Sequence, residues 1–155
     1  MMVVYLALGT NLGNKEENMY AAVELIRKRV GKVASLSAFY TTEPWGFSSE
    51  NTFLNACCSV ETTLFPFQLL QITQEIEKEL GRTKKTVAGG YSDRLIDVDL
   101  LLYDDLKIQT PALTLPHPLM HQRSFVMDPL AEIAPDLVHP VFGVTMMELA
   151  EALHS

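Results

Sequence analysis

Residues 95–103 read LIDVDLLLY. The run is apolar except at Asp97 and Asp99, which alternate with Val98. A strand repeats every two residues, so both carboxylates leave one face, within roughly 7 Å of each other, while Val98 and Leu100 turn to the core. Working outward, Val3–Leu8 reads as a buried first strand ended by Gly9. Asn14 followed by Glu17 is an Asn form of the capping box, and opens a helix. Met19, Val23, Ile26 and Val30 give that helix one apolar stripe, and Gly31 stops it. Val33–Tyr40 is the second strand and Phe53–Glu61 the third. Pro66 suits the first turn of a second helix, with Leu69, Ile72, Ile76 and Leu80 on its inner face and Gly81 at its end. With Leu95–Tyr103 as the fourth strand the order is βαββαβ, a ferredoxin-like α/β (α+β) sandwich with a C-terminal extension. That extension holds a short helix near Ser124–Ile133 and a last helix with Thr145 and Glu148 as its capping box.

The chain has 155 residues, the size of one domain, expected to span 1–155. Apolar residues make up 48% and charged residues 20%, a globular composition. No apolar run approaches the ~20 residues of a membrane span. MMVVYLALG has no basic lead and reads as a strand rather than a signal peptide. The net charge of −7 argues against nucleic-acid or anionic-membrane partners. Cys57 and Cys58 are neighbours on a strand and point to opposite faces, so they are expected to be free thiols of a cytoplasmic protein.

The chemistry concentrates around the aspartate pair. Two convergent carboxylates supply hard oxygen ligands for magnesium. Arg94 adjoins them, and Arg82, Lys84 and Lys85 open the preceding loop, RTKKTVAGGYSDR. Phosphoryl transfer needs such a union of metal and cations. Phe53 and Asn55 share a strand face, a pairing that suits a flat heterocycle, one stacking while the other reads ring donors and acceptors, although a core Phe beside a strand-edge Asn is the better reading of these two residues alone. Gln74 and Glu77 lie near the basic loop and could hydrogen-bond a nucleotide, although ordinary helix-surface polarity is the better reading of these residues alone. His117 and His121 are four apart, but Pro118 disturbs a helix there and no H-E-x-x-H exists, so a phosphate donor is a better reading than zinc. There is no P-loop and no nucleophile elbow. A non-catalytic ligand-sensing module of the same fold is the alternative; it needs a pocket but not paired carboxylates beside arginines.

Together these pieces resemble the 6-hydroxymethyl-7,8-dihydropterin pyrophosphokinase family over essentially the whole chain. The segments that carry the resemblance are LALGTNLGN (6–14), FYTTEPWG (39–46), FLNACCSVET (53–62), residues 74–82, DRLIDVDLLLY (93–103), LTLPHP (113–118) and RSFVMDPLAEIAPDLVHP (123–140). The resemblance implies transfer of the diphosphate of ATP to a reduced pterin, with release of AMP, in folate biosynthesis. It implies two magnesium ions on Asp97 and Asp99, and Arg82 and Arg94 as catalytic cations on a mobile loop. It places Gln74, Glu77, Lys85, Val98, Leu100, His117 and Arg123 at ATP. It places Thr42, Pro44, Trp45, Gly46, Phe53, Asn55 and Phe125 at the pterin. Partners are then the two small substrates, and the enzyme is expected to be a monomer. Pro118 stands where the family often has Tyr, and Ala112 near the place of an Arg or Lys.

Overall fold

Strand β1 (Met2–Thr10) lies in the middle of the sheet because it is the most apolar strand and is paired on both sides. The computed structural model describes residues 1–43, 52–81 and 95–155. After β1 come α1 (Lys15–Arg29), β2 (Gly31–Leu36), β3 (Tyr40–Thr42), β4 (Phe53–Thr62), α2 (Pro66–Gly81) and β5 (Asp97–Tyr103). The C-terminal part adds a small hairpin, β6 (Ile108–Gln109) and β7 (Thr114–Leu115), then α3 (Ser124–Ile133) and α4 (Met146–Leu153). The main sheet runs β2-β4-β1-β5, with β3 also on β4, and the pairs β1/β4, β1/β5, β2/β4 and β3/β4 are all antiparallel. The chain is thus a mixed α/β protein with an antiparallel sheet.

Period-two alternation splits the core into two layers. Val4, Leu6, Leu8, Ala56, Cys58 and Val60 face α1 and α2, where Met19, Ile26, Leu69 and Ile76 meet them. Ala7 and Cys57 face the other way, toward Met127, Leu130 and Met146 of α3 and α4. The adjacent cysteines therefore sit in different layers, and both are free and buried. In β5 the register slips beside Tyr5 and Leu6, so that Leu101 and Leu102 both serve the second layer. Such a bulge re-aims one side chain without ending the pairing.

The helices end as local chemistry dictates. The Asn14 side chain accepts the Glu17 N–H at 3.1 Å, Glu16 and Glu17 occupy the first turn of α1, and Arg27, Lys28 and Arg29 occupy its last. Both charge groups complement the helix dipole. Thr145 and Glu148 form the full reciprocal capping box of α4.

Two expectations need correction. The second strand does not run unbroken from Val33 to Tyr40. It stops at Leu36 and resumes as β3, and each of two irregularities shifts the pairing with β4 by one residue. Ser37 explains the break: its hydroxyl accepts the Cys57 N–H at 2.9 Å, and the next N–H, of Ala38, turns away to the Glu132 carboxylate. Nor is Gly31 a helix stop. Val30 is the C-cap, and Gly31 begins β2 with its Cα pressed against the β4 backbone at Glu61. A Cβ there would collide with the Glu61 carbonyl. Gly31→Ala is accordingly expected to lower stability by about 1–3 kcal/mol, as overpacking does. Urea denaturation checks this; an unchanged midpoint would mean that β2 shifts away at no cost.

Candidate active site

The sheet register lays out the site. Asp97 lies opposite Gly9, Gly9 opposite Asn55, and Asn55 opposite Tyr40, a row across β5, β1, β4 and β3. Asp99, Ala7 and Cys57 form the next row. Directly opposed residues project to the same face, so both aspartates, Asn55 and Phe53 share the face that α3 covers. Gly9 leaves the centre of the row empty. A Cβ at this position would stand 3.1 Å from the Asn55 Oδ1 and 3.7 Å from the Phe53 ring. Asn55 Nδ2 donates to Thr42 Oγ1 at 2.6 Å, which fixes the amide so that its Oδ1 points toward Gly9. The result is a bare patch of backbone bounded by an aromatic ring and an oriented amide.

The far edge of β5 opens into a cavity of about 390 Å³. Gln74 and Glu77 of α2 line it on one side, Thr114 and His117 on the other, and Asp97 and Asp99 at its floor. Val98 and Leu100 also border it, although both belong to the buried core. Ala112 and Pro118, where the family often has larger polar residues, contribute only small apolar walls.

Glu77 is more than surface polarity. Its Oε2 accepts the Val98 N–H at 2.7 Å, between the two aspartates, and its carboxyl shares a hydrogen bond with Asp97. Burial and this bond raise its pKa to about 8, against the opposing pull of the Val98 N–H. The bond ties Glu77 to Asp97, one of the two carboxylates of the site. Gln74 is exposed, yet it borders the same cavity.

His117 is held from both ends. Its N–H donates to the Leu101 carbonyl at 2.9 Å, and its Nδ1 accepts the Leu119 N–H at 3.2 Å. Burial, with Arg123 adding to it, lowers its pKa to about 4. The ring is thus neutral with its proton on Nε2, a hydrogen-bond donor. That tautomer disfavours zinc, since a ligating Nε2 needs the proton on Nδ1. Among the described residues no group of three or more His, Cys, Asp or Glu could hold a metal. Two carboxylates with open positions do suit magnesium, which takes one or two carboxylates plus substrate phosphates.

Helix α3 brings the remaining groups. Arg123 is its buried N-cap, with its guanidinium carbon 5.6 Å from the Phe125 ring centroid. Phe125 packs on the core layer that contains Ala7 and Cys57, below the Asn55 row. Glu132 accepts from Tyr40 Oη at 2.6 Å and from the Ala38 N–H, tying α3 to β3. Pro44, Trp45, Gly46, Arg82, Lys85 and Arg94 lie outside the described residues, as do Lys84, Gly89 and Gly90. Reading the sequence missed Gly9 and the part played by Glu132. Gly9 does not end the first strand as expected, since β1 runs on to Thr10; the available signal was a glycine within a buried strand, which marks close approach. Glu132 gave none, because its partners are over 90 residues away.

His117 gives a direct test of this geometry. By NMR its ring is expected to titrate near pH 4 and to report an Nε2–H tautomer above that. Its folded pKa lies below the unfolded value, so the stability it contributes is present above about pH 6.5 and lost as pH falls toward 4. A midpoint at the ordinary 6.5 would show the ring to be solvated and the Nδ1 contact absent.

The family model described as 7,8-dihydro-6-hydroxymethylpterin-pyrophosphokinase (HPPK) matches residues 5–135. The 2-amino-4-hydroxy-6-hydroxymethyldihydropteridine pyrophosphokinase of Porphyromonas gingivalis is 52% identical over 141 residues, covering 90% of this chain and 95% of the relative. The enzyme of the same name from Bacillus subtilis is 42% identical, covering 84% of this chain and 77% of its own. A Plasmodium falciparum HPPK-DHPS structure superposes with a TM-score of 0.81 at 17% identity, over 97% of this chain and 45% of that one. The chain spans less than half of that longer protein, and at this identity the likeness is one of fold. With a family model matched over most of its length and relatives above 40% identity, the chain belongs to the 7,8-dihydro-6-hydroxymethylpterin-pyrophosphokinase family.

Proposed function

We propose that this chain transfers the diphosphate of ATP to the hydroxymethyl group of 6-hydroxymethyl-7,8-dihydropterin, giving AMP and the pterin diphosphate, in folate biosynthesis. One observation carries the reading: Asp97 and Asp99 stand between a cavity at the β5 edge and the open face at Gly9, Phe53 and Asn55. Two substrates can thus meet over one carboxylate pair. ATP occupies the edge cavity, with Gln74 and Glu77 on its α2 side, Val98 and Leu100 against the base, and His117 Nε2–H and Arg123 toward the phosphates. The pterin lies on Gly9 between Phe53 and Phe125, its edge read by Asn55, with Thr42 and the stretch Pro44, Trp45, Gly46 beside it.

The reaction is an in-line displacement. The pterin hydroxyl oxygen forms a bond to the β-phosphorus, the bond from that phosphorus to the α-phosphate oxygen breaks, and AMP departs with that electron pair. The hydroxyl proton passes to Asp97 or directly to water, where magnesium coordination would lower the cost of losing it. Asp97 and Asp99 would hold two magnesium ions, which supply charge neutralisation on the phosphate oxygens. Arg82 and Arg94 would add cationic stabilisation in transfer, with Lys85 on the phosphates. Glu77 keeps Asp97 oriented through their hydrogen bond and fixes the β5 backbone at Val98.

The same reading takes residues 1–155 as a single ferredoxin-like domain with a C-terminal extension, a cytoplasmic monomer acting on small molecules, with no nucleic-acid or membrane partner. The strand order and uniformly antiparallel pairing support the fold. Among the described residues no helix is long and apolar enough to cross a membrane.

Asp97→Asn and Asp99→Asn are each expected to cut AMP formation from ATP, pterin and magnesium by about 10²–10³ or more, with an unchanged melting transition. Turnover near wild type in either variant would remove the pair from the site, and ADP as product would rule out diphosphate transfer. Gly9→Ala is expected to weaken pterin binding about tenfold, or about 1.4 kcal/mol, and to leave ATP binding unchanged. Calorimetry with each ligand separates these; equal losses would place Gly9 outside the pterin pocket.

A further inference from the structure

Behind the β6–β7 hairpin lies a second cavity, of about 410 Å³, that the reaction above does not use. It adjoins the edge cavity, and His117 borders both. Its other polar walls are Lys107, Gln109, His121 and His139, and the Phe142 ring closes one side. No carboxylate appears among its described lining residues. In a protein of net charge −7, this cavity is walled by one cation and several hydrogen-bond donors.

His139 sets the character of the cavity. The residue is only 2% exposed. Its Nδ1 accepts the N–H groups of both Val141 and Phe142, each at 3.2 Å. The neutral ring therefore carries its proton on Nε2, and among the described residues Nε2 has no hydrogen-bond partner. Phe142 stacks on the ring at 4.3 Å between centroids, and His121 meets the other side of the aromatic cluster edge-on at 4.7 Å. The imidazole is thus clamped with an unanswered donor on the cavity wall. His117 has the same arrangement, with Nδ1 accepting the Leu119 N–H and Nε2 left to donate. Lys107 is exposed and has no ion-pair partner among the described residues.

A metal does not fit here despite the three histidines. Coordination through Nε2 requires a proton on Nδ1, where His139 and His117 each face backbone N–H groups. What two Nε2–H donors and an ammonium do suit is an acceptor that brings negative charge. We propose that this cavity is a binding site for a phosphate-type oxyanion, held by His139, His117 and Lys107, with the Phe142 ring available to an organic group attached to it. Since His117 faces both cavities, an oxyanion here and an ATP phosphate would compete for one Nε2–H. That competition rests on the ATP reading; the oxyanion site itself does not.

The test is a titration of full-length protein with inorganic phosphate, followed by the ring nitrogens of His139 and the backbone amide of Phe142 in NMR. Saturable shifts at both are expected. His139→Asn keeps an acceptor for the Val141 and Phe142 N–H groups, but its shorter side chain withdraws the donor from the place of Nε2, and Lys107→Gln removes the charge from an exposed position. Each is expected to weaken phosphate binding about tenfold or more, with an unchanged melting temperature. Phenyl phosphate is the second probe: tighter binding than inorganic phosphate assigns the site to an organic phosphate, and equal binding assigns it to the free ion. Shifts confined to Gln74 and Val98 would place the phosphate in the ATP cavity and overturn the proposal. So would Lys107→Gln binding as tightly as wild type, or no saturable response at His139. If His139→Asn fails to fold, Lys107→Gln alone decides.

Discussion

The double pairing of β1 governs every distance at the site. Neighbouring strands stand ~4.8 Å apart, so Asp97 and Asn55, one strand away on either side of Gly9, are separated by about two such spacings. A residue with a side chain at position 9 would fill that gap, and the row would become ordinary sheet surface. Register cannot drift, because a slip of one residue would move Leu6 and Leu8 from the first core layer to the second and replace them with Ala7. The burial of the first core layer therefore holds the polar row in place. At the other end of β1, the bulge beside Tyr5 and Leu6 takes up the mismatch between β1 and β5, so the irregularity stays away from Asp97 and Asp99.

The fold was legible because its signals are local and periodic. The α1 stripe, the Pro66 start of α2, the Thr145–Glu148 box and the bounds of α3 depend on residues within a few positions of one another. The alternation of Asp97, Val98, Asp99 and Leu100 likewise contains its own answer, since a strand has only two faces. What could not be read is what depends on pairing between distant segments. The break at Ser37 comes from hydrogen bonds to Cys57 and Glu132, and the need for glycine at position 31 comes from the Glu61 backbone. Glu77 looked like helix surface because its partner, the Val98 N–H, lies 21 residues on, at the edge of a different element.

The same distinction explains the histidines. A spacing of four between His117 and His121 suggests a metal only if both rings offer a free nitrogen lone pair. Backbone N–H groups settle the matter for His117 by occupying Nδ1, and the neighbouring loop does the same for His139. In each case a short chain reversal places an N–H two residues ahead of the ring. The turn that follows the histidine, rather than the spacing between histidines, decides whether the ring accepts a metal or donates to an anion. An acidic chain can in this way present anion-binding walls without added positive charge.

The interruption between β2 and β3 costs backbone pairing, and α3 offsets it. An unbroken strand from Gly31 would carry Tyr40 and Thr42 along the original register and away from Asn55. Four steps along this side, from Leu36 to Tyr40, instead run against three along β4, from Cys58 to Asn55, and this brings Thr42 Oγ1 to the amide. The groups freed by the irregularity must find partners, since buried polar groups left unmade cost about 1–3 kcal/mol each. Ser37 takes the Cys57 N–H, and Glu132 takes the Ala38 N–H together with the Tyr40 hydroxyl. The Tyr40 hydroxyl is held so firmly by that carboxylate that its pKa is pushed up to about 12. Because Glu132 and Phe125 sit on one ten-residue helix, the contact that repairs the strand also sets the depth of the aromatic ring. Loss of Glu132 would therefore reach the open face at Gly9 through α3, although Glu132 itself touches neither Asn55 nor Phe53 among its hydrogen-bond partners.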